Sequence, residues 1–372
     1  MTNYELRISN LRKKKFFLQP RQKLDALLVA NLTNIGYLTG FWGSFGRLLI
    51  TRKNTILISD SRYSERAKNL LKNRRDKAMP CLYQEIDQEK DFWQKLAKKY
   101  RIHHLGYEAS HVSVEQLAKL KKVFRTVETR HALSLHKTVH VVEQLRQQKS
   151  EEEIQLIQKA AKIADTSLEK TLSYLKIGIT EKKLAWIFEK IAREELSADS
   201  LSFPTIVAFG KNSATPHHET GDAKLTKNSP ILFDCGVKYK RYCSDMTRSF
   251  FFGKQTEKWL KTFQLVKKAQ EEGMKLIRPG KKCSSPDLKA REVFGKDAKY
   301  FGHSFGHGVG IEVHESPSLS SKSFDKFQEN MVVTAEPGLY FPGEFGIRIE
   351  DLMVVKKTGN VVLSRFPYEM SV

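Results

Sequence analysis

Two β-rich runs that each carry an aspartate constrain the fold of this 372-residue chain more than any other feature. The runs ILFDCGV and YCSDMTRSFFF flank the polar turn KYKR, so they predict an antiparallel hairpin. A pairing centred on Tyr239–Lys240 puts Asp234 directly opposite Asp245. Like charges at opposed positions, with Cβ atoms about 5 Å apart, are destabilising unless a cation lies between them. The alternative is a shifted pairing that leaves both carboxylates exposed near the turn.

A glycine-rich segment further along, GHSFGHGVGIEVHE, contains His303, His307 and His314. Its four glycines allow the backbone to approach a ligand closely. The histidine spacings do not fit the HExxH pattern of zinc peptidases. A single histidine is more often structural than a ligand, but the cluster among glycines favours a site.

Three more acidic side chains follow in strand-like segments. Glu336 ends an apolar run immediately before a Pro-Gly turn, where it could simply accept hydrogen bonds from backbone amides. The segment FGIRIEDLMVV predicts one strand with Arg348 and Glu350 on one face and Asp351 on the other. A mutual ion pair between Arg348 and Glu350 is the alternative to a functional role for these two.

The candidate metal ligands among these residues are four carboxylates and one imidazole. Hard oxygen ligands with a single nitrogen suit Mn²⁺, Co²⁺, Fe²⁺ or Zn²⁺ in a paired site, and Mn²⁺ is the expected ion. Two dications about 3.5–4 Å apart can deprotonate a shared water and polarise a carbonyl. The candidate metal ligands are Asp234, Asp245, His307, Glu336 and Glu350.

From about LRQQKSEEEI to the C-terminus, the chain resembles the metallopeptidase family of methionine aminopeptidase, aminopeptidase P and prolidase. The resemblance rests on the order Asp, Asp-x-Thr-Arg, Gly-His-Gly, Glu-Pro-Gly and Arg-x-Glu-Asp. It implies an α+β catalytic domain of the pita-bread fold. It also implies that Asp234 and Asp245 bind one metal and that Asp245 and Glu350 bridge to a second. His307 and Glu336 would complete that second site, and a hydroxide bridging the metals would be the nucleophile.

The same resemblance implies roles for further residues in catalysis. His217, in NSATPHHETGD, and His314 are expected to hold the substrate and stabilise the tetrahedral intermediate. Glu336 is a candidate proton shuttle as well as a ligand. Arg348 is a candidate for contacts with the substrate beyond its proline.

The first third of the chain alternates strands and helices, which predicts a small α/β domain over residues 1–130 and a catalytic domain over 131–372. Its segments LDALLVANLTNIGYLTGF and SDSRYSERA resemble the creatinase-like, RNase H-like N-terminal domain of proline-specific family members. That domain implies peptide substrates with proline in the second position. It also implies a homodimer in which each N-terminal domain leans over the partner's cleft.

Three functions compete at this point. The first is a Xaa-Pro aminopeptidase, and the second is a Xaa-Pro dipeptidase (prolidase), which would close the cleft beyond the proline and bind its carboxylate. The third is a metal-free binding module on the same fold, such as the histone-chaperone or RNA-associated relatives; creatinase is likewise a metal-free enzyme on this scaffold. Replaced metal ligands are usual in such relatives, whereas this chain retains all five, so the peptidase is favoured.

Charge and composition limit the partners. The formal net charge is +22, of which +15 falls on residues 1–130. No nucleic-acid-binding motif accompanies this charge, so specific nucleic-acid binding is not expected. No apolar run approaches the length of a membrane span. The four cysteines are isolated in sequence, so we expect a cytoplasmic protein with free thiols and no membrane association.

Overall fold

The structure, a computed structural model, describes residues 3–13, 24–72, 81–86, 92–125 and 134–368. The chain divides into two compact units, Met1–Leu145 and Arg146–Val372. Both units mix helices with β-sheets, which confirms the predicted two-domain α/β class.

The first unit is built around a six-stranded sheet with strand order β4-β3-β2-β1-β5-β6. Strand β1 pairs antiparallel with β2 and parallel with β5, and all four of its residues are buried. The elements of this unit are α1 (Asn3–Arg12), β1 (Ala26–Val29), α2 (Leu32–Thr39), β2 (Arg47–Thr51), β3 (Thr55–Ser59), α3 (Ser64–Lys72), β4 (Cys81–Glu85), α4 (Phe92–Lys99), β5 (His104–Glu108), α5 (Val114–Arg125) and β6 (Ser134–Thr138).

The sequence of residues 24–60 predicts strands joined by turns at Gly36 and Gly40, but the structure also has helix α2 there. The Asn31 side chain caps this helix by accepting from the backbone N–H of Thr33, and Gly40 ends it at φ +71°. Gly36 lies inside this helix and is not a turn point, and a Cβ there would lie 2.4 Å from the Trp42 ring. The glycine therefore serves tertiary packing, which local sequence does not reveal.

The second unit holds two three-stranded sheets, β11-β10-β7 and β12-β9-β8, a five-stranded sheet, β14-β13-β15-β18-β19, and the pair β16-β17. Its elements are α6 (Glu143–Arg146, which contains the division between the units), α7 (Glu151–Leu172), α8 (Glu181–Lys190), β7 (Ser200–Leu201), β8 (Ile206–Phe209), β9 (Ser229–Cys235), β10 (Val237–Tyr239), β11 (Tyr242–Cys243), β12 (Met246–Phe252), α9 (Glu257–Met274), α10 (Ser285–Phe294), β13 (His307–Gly308), β14 (Glu315–Ser318), β15 (Val332–Ala335), β16 (Gly338–Phe341), β17 (Phe345–Arg348), β18 (Asp351–Lys356) and β19 (Gly359–Val362).

Ser150 followed by Glu153, and Thr180 after Gly178, are sequence signals for helix starts, and the structure confirms both. Ser150 and Glu153 form a reciprocal capping box at the start of α7. Thr180 accepts from the backbone N–H of Lys183 at the start of α8. Both helices pack apolar side chains such as Leu168 and Phe188 into one buried cluster with strands β8 and β9.

The hairpin carrying the two aspartates forms, but its predicted register is wrong by two residues. Thr247, not Asp245, lies opposite Asp234. The turn is centred on Lys240–Arg241, and both residues have positive φ, 46° and 79°. Consecutive positive φ values match the twist of tight antiparallel hairpins. Because side chains alternate with a period of two, the shift leaves Asp234 and Asp245 on the same face, as diagonal neighbours.

The predicted single strand over FGIRIEDLMVV is also wrong. It is broken at Ile349–Glu350 into β17 and β18, which have different partners: β17 pairs with β16, whereas β18 pairs with β15 and β19. The Glu350 N–H instead donates to the carbonyl of Thr247 at 3.0 Å. The break therefore places Glu350 beside the aspartate hairpin.

The described helices include none that is both long enough and apolar enough to cross a membrane. All four cysteines are free thiols, as predicted, and three of them are buried.

Asp165 in helix α7 makes stability depend on pH. Its Oδ2 accepts from the backbone N–H of Arg365 at 2.8 Å, whereas its Oδ1 is buried without a partner in the described part of the chain. Burial raises the pKa of Asp165 to about 6, against about 3.9 in an unfolded chain. Below both pKa values the carboxyl group is protonated in the folded and the unfolded state, so its burial adds no charge penalty to the free energy of folding. As pH rises the unfolded state loses its proton first, so folding becomes less favourable until the folded pKa is passed.

Asp165→Asn should remove this penalty. We expect its stability advantage over the unsubstituted chain to grow by about 1–2 kcal/mol between roughly pH 4.5 and pH 7.5. Denaturant unfolding at several pH values measures the difference. An advantage that does not change with pH would show that folding does not shift the pKa of Asp165.

Candidate active site

One cavity of about 680 Å³ in the second unit brings all of the predicted site residues together. The predicted residues along its wall are His217, Asp234, Asp245, His307, His314, Glu336, Arg348 and Glu350. An apolar stretch, Phe203–Ile206, lines another part of the wall.

The acidic side chains reach this cavity because strands end there. Asp234 is the penultimate residue of β9, and Asp245 immediately precedes β12. Glu336 directly follows β15, as predicted, and Glu350 occupies the break between β17 and β18. His307 begins the short strand β13. At the end of a strand, a side chain can extend beyond the sheet into the cavity, while the neighbouring backbone is still held by the hydrogen bonds of the sheet.

The imidazole of His307 lies at the centre of the acidic group. Its Nε2 is 3.5 Å from Asp245 Oδ2 and 3.3 Å from Glu336 Oε1. Its Nδ1 lies 3.0 Å from the carbonyl oxygen of Gly308, which favours a proton on Nδ1 and leaves Nε2 with a lone pair. Asp245, His307 and Glu350 each offer one ligand atom, and these three atoms lie within 4.8 Å of one another.

The carboxylates of this group carry unfavourable charge. Burial raises the pKa of Asp245 well above its usual range, and Glu350, Asp234 and Glu336 raise it further. Burial raises the pKa of Glu350 in the same way and brings that of Glu336 to about 7. Burial lowers the pKa of His307, so the imidazole is held neutral. A neutral imidazole is the form that binds a metal ion, and a bound cation would offset the repulsion that otherwise favours protonation of these crowded carboxylates.

The hydrogen bonds of Asp234 provide an independent test of whether these residues suit a bound metal ion. Its Oδ2 accepts from Arg348 at 2.6 Å, but its buried Oδ1 has no hydrogen-bond partner in the described part of the chain. An unpaired buried carboxylate oxygen is costly, and a cation would account for it. Oxygen donors with one imidazole nitrogen match divalent first-row ions. The residues therefore fit a paired site for divalent cations.

Arg348 does not form the mutual ion pair with Glu350 that was the alternative interpretation. Besides Asp234, its guanidinium donates to Thr247 Oγ1 at 3.0 Å and Tyr340 Oη at 2.7 Å. The Thr247 hydroxyl in turn donates to Glu350 Oε2 at 2.7 Å. Arg348 and Thr247 thus fix the orientation of both carboxylates.

Several residues of this network were not selected from the sequence. Thr247 had a usable signal, because its spacing of two from Asp245 puts both on one face of a strand. Sequence analysis noted His303 as one of three clustered histidines but did not identify its partner. The His303 Nε2 lies 2.9 Å from the hydroxyl oxygen of Tyr340. Burial lowers the pKa of His303 to about 3, so it is neutral. Tyr340 gave no local signal, since its position follows from the pairing of β16 with β17.

The segment carrying His217 is tied to the start of helix α8. The fully buried carboxylate of Glu181 accepts from the N–H of Phe209 at 2.8 Å and of Gly221 at 3.1 Å. It also lies 2.9 Å from His218 Nε2. These contacts fix the loop on both sides of His217, and sequence analysis missed Glu181 because its partners are distant in the chain.

Two family models match the chain. Residues 155–357 match metallopeptidase family M24, and residues 7–148 match the creatinase/prolidase N-terminal domain. The uncharacterized peptidase YqhT of Bacillus subtilis is 36% identical over 352 residues, which cover 93% of this chain and 95% of that protein.

Solved structures are similar over nearly the whole length. A Xaa-Pro dipeptidase from Bacillus anthracis has a TM-score of 0.90 at 31% identity, with 99% of both chains covered. An X-Pro aminopeptidase from Thermotoga maritima has a TM-score of 0.83 at 31% identity, covering 94% of this chain and 97% of the other. Fold, cavity residues and sequence agree, and this chain is therefore a member of metallopeptidase family M24 with a creatinase/prolidase-type N-terminal domain.

Proposed function

We propose that this protein is a Xaa-Pro aminopeptidase that uses two divalent metal ions to cleave the peptide bond before a penultimate proline. The observation that carries the proposal is the buried group of four carboxylates around His307, in which Asp234 Oδ1 lacks a hydrogen-bond partner among the described residues. Asp234 and Asp245 would hold one ion. Asp245 and Glu350 would be shared with the second ion, which His307 and Glu336 complete.

When bound, the ions supply a water activated for attack and polarise the scissile carbonyl. The chain's own residues do the rest. His217 and His314 donate hydrogen bonds to the substrate, where negative charge develops on the carbonyl oxygen. A Glu336 carboxylate oxygen takes a proton from the attacking water and delivers it to the proline nitrogen as that amine leaves. Arg348 holds Asp234 in place, and the Phe203–Ile206 wall excludes water beside the proline ring.

Two observations favour longer peptides over dipeptides. The cavity volume of about 680 Å³ is large for a dipeptide. Arg348 is the only Lys or Arg among the described residues of the cavity wall, and four of its five N–H groups already donate to Asp234, Thr247, Tyr340 and the Pro216 carbonyl. Arg348 is therefore poorly placed to bind the free carboxylate of a dipeptide.

A Xaa-Pro dipeptidase is the second candidate. It is favoured by the Bacillus anthracis dipeptidase, whose structure has a TM-score of 0.90 with this chain.

Hydrolysis of matched peptides tests the proposal. The metal-depleted protein is reloaded separately with Mn²⁺, Co²⁺, Fe²⁺ or Zn²⁺ and given Xaa-Pro, Xaa-Pro-Yaa and, as a control, Xaa-Ala-Yaa. We expect the highest kcat/KM with Xaa-Pro-Yaa and Mn²⁺, and no cleavage of the alanine peptide. A preference for Xaa-Pro would establish the dipeptidase instead. Absence of both cleavage and metal uptake would favour a binding module.

We also propose that the protein is a cytoplasmic homodimer acting on peptides and not on nucleic acid or membranes. Sedimentation velocity measures the oligomeric state directly. A monomer at assay concentrations would remove the expected contribution of a partner's N-terminal domain.

A further inference from the structure

A buried group of charges lies next to His314 but outside the metal ligands. Its members are Arg146, Lys149 and Glu315, whose side chains are only 3%, 2% and 5% exposed. Charges this deeply buried are costly unless they are paired, so their arrangement calls for an explanation.

The Glu315 carboxylate joins two separate parts of the second unit. Its Oε1 accepts from the Arg146 guanidinium and, at 3.1 Å, from the backbone N–H of Glu312. Its Oε2 lies 3.4 Å from the Lys149 ammonium. One carboxylate thus closes the turn 312–315 on itself and fastens that turn to residues 146–149.

Both ends of this connection are rigid. Gln148 forms a β-bridge with Met331, and the N–H of Lys149 donates to the carbonyl of Asn330 at 2.9 Å. On the other side, Glu315 pairs with Gly308 in the β13–β14 ladder. The backbone at Gly310 packs so closely that a Cβ there would lie 2.6 Å from the Glu315 carboxylate.

His314 is the residue that this turn presents to the cavity. Its ring meets that of His307 edge to face, with centroids 4.4 Å apart. None of the hydrogen bonds seen in the described ranges involves the His314 imidazole. Its position is therefore set by the backbone of its own turn and by the His307 ring.

From this geometry we infer that Glu315, held by Arg146 and Lys149, is a positioning residue that fixes the His314 imidazole against the cavity. The kinetic consequence rests on the proposed function, in which His314 stabilises charge on the substrate. The structural consequence does not depend on it. Glu315 itself touches neither the substrate cavity nor a metal ligand's side chain in this arrangement.

The test is a double-mutant cycle of Glu315→Gln and His314→Ala. Glu315→Gln keeps the side-chain shape but removes the paired anion of Lys149 and leaves Arg146 with Glu312 as its carboxylate partner. We expect kcat for Xaa-Pro-Yaa to fall by about 10²-fold, the size expected for a misplaced catalytic group, with little change in KM or bound metal. In the His314→Ala background the same substitution should have no further effect, because the group it positions is absent. The matched control is Glu312→Gln, whose partly exposed carboxylate contacts the same Arg146 and which should leave kcat unchanged.

A readout without substrate or metal separates this inference from the proposed function. In the metal-free chain labelled with ¹⁵N-histidine, the His314 ring signal is identified by its loss in His314→Ala. Glu315→Gln should shift or broaden that signal, whereas Glu312→Gln should leave it in place. If Glu315→Gln does not fold, Arg146→Lys should give the same shift, since lysine keeps the charge but lacks the planar guanidinium whose Nη2 contacts both glutamates.

An unchanged His314 signal in these variants would overturn the inference. So would an equal loss of kcat from Glu315→Gln with and without His314. A chain that cleaves no Xaa-Pro peptide would refute the proposed function alone, and the ring signal would still decide whether Glu315 positions His314.

Discussion

Asp245→Asn should abolish most activity while leaving the fold intact. Asp245 is only 5% exposed and lies beside His307 and Glu350, so its carboxylate is available to both proposed ions. An amide carries no charge and offers one oxygen, which weakens both positions. We expect kcat/KM to fall by more than about 10²-fold, a loss that even indirect partners of metal ligands produce.

Metal content per chain and kcat/KM measure this outcome together. Asp222→Asn, at an exposed aspartate of the same unit, makes the same chemical change away from the proposed ligands. Near-normal turnover of Asp245→Asn would remove Asp245 from the site.

Asp351→Ala should have the largest effect on stability. Its carboxylate is fully buried. It accepts hydrogen bonds from the Arg248 guanidinium at 2.7 Å, the Gln270 amide at 3.0 Å and the Tyr368 hydroxyl at 2.6 Å. Removing one partner of a buried ion pair leaves an uncompensated charge, here on Arg248, at a cost of about 3–5 kcal/mol. For a unit of this size, that lowers the melting temperature by roughly 6–20 °C.

Thermal unfolding of the full chain measures the effect. Glu344→Ala is the matched comparison, because it breaks the exposed Lys258–Glu344 pair, worth about 0–1 kcal/mol. If Asp351→Ala lowers the stability no more than this control does, the carbonyls of Phe366 and Glu350, to which Arg248 already donates, are enough to stabilise its charge.

The features that sequence predicted correctly are those with local causes. The capping box at Ser150 and the Thr180 cap involve atoms within three residues, so their geometry follows from the sequence itself. The proposed carboxylate ligands were selected because acidic residues within or beside apolar strands need a reason to be there. That Asp234 and Asp245 share a face depends on the alternation of side chains along a strand, so this prediction held although the predicted register was wrong by two residues.

The features that sequence missed depend on distant partners. The break at Ile349–Glu350 exists because β17 and β18 pair with different strands. Gly36 lies inside a helix at a point where the Trp42 ring packs too closely for any side chain. Glu181 and Glu315 hold loops whose anchoring atoms lie tens of residues away or more, so no local pattern marks them.

The hairpin turn has a consequence for how such chains can diverge. With Thr247 opposite Asp234, Asp234 and Asp245 share a face, and a slip of one residue would turn one of them to the opposite face whatever residues form the turn. Lys240 and Arg241 adopt positive φ without being glycine or asparagine, at some cost in backbone strain. Selection for activity should therefore tolerate drift in KYKR while purging any one-residue slip between the strands.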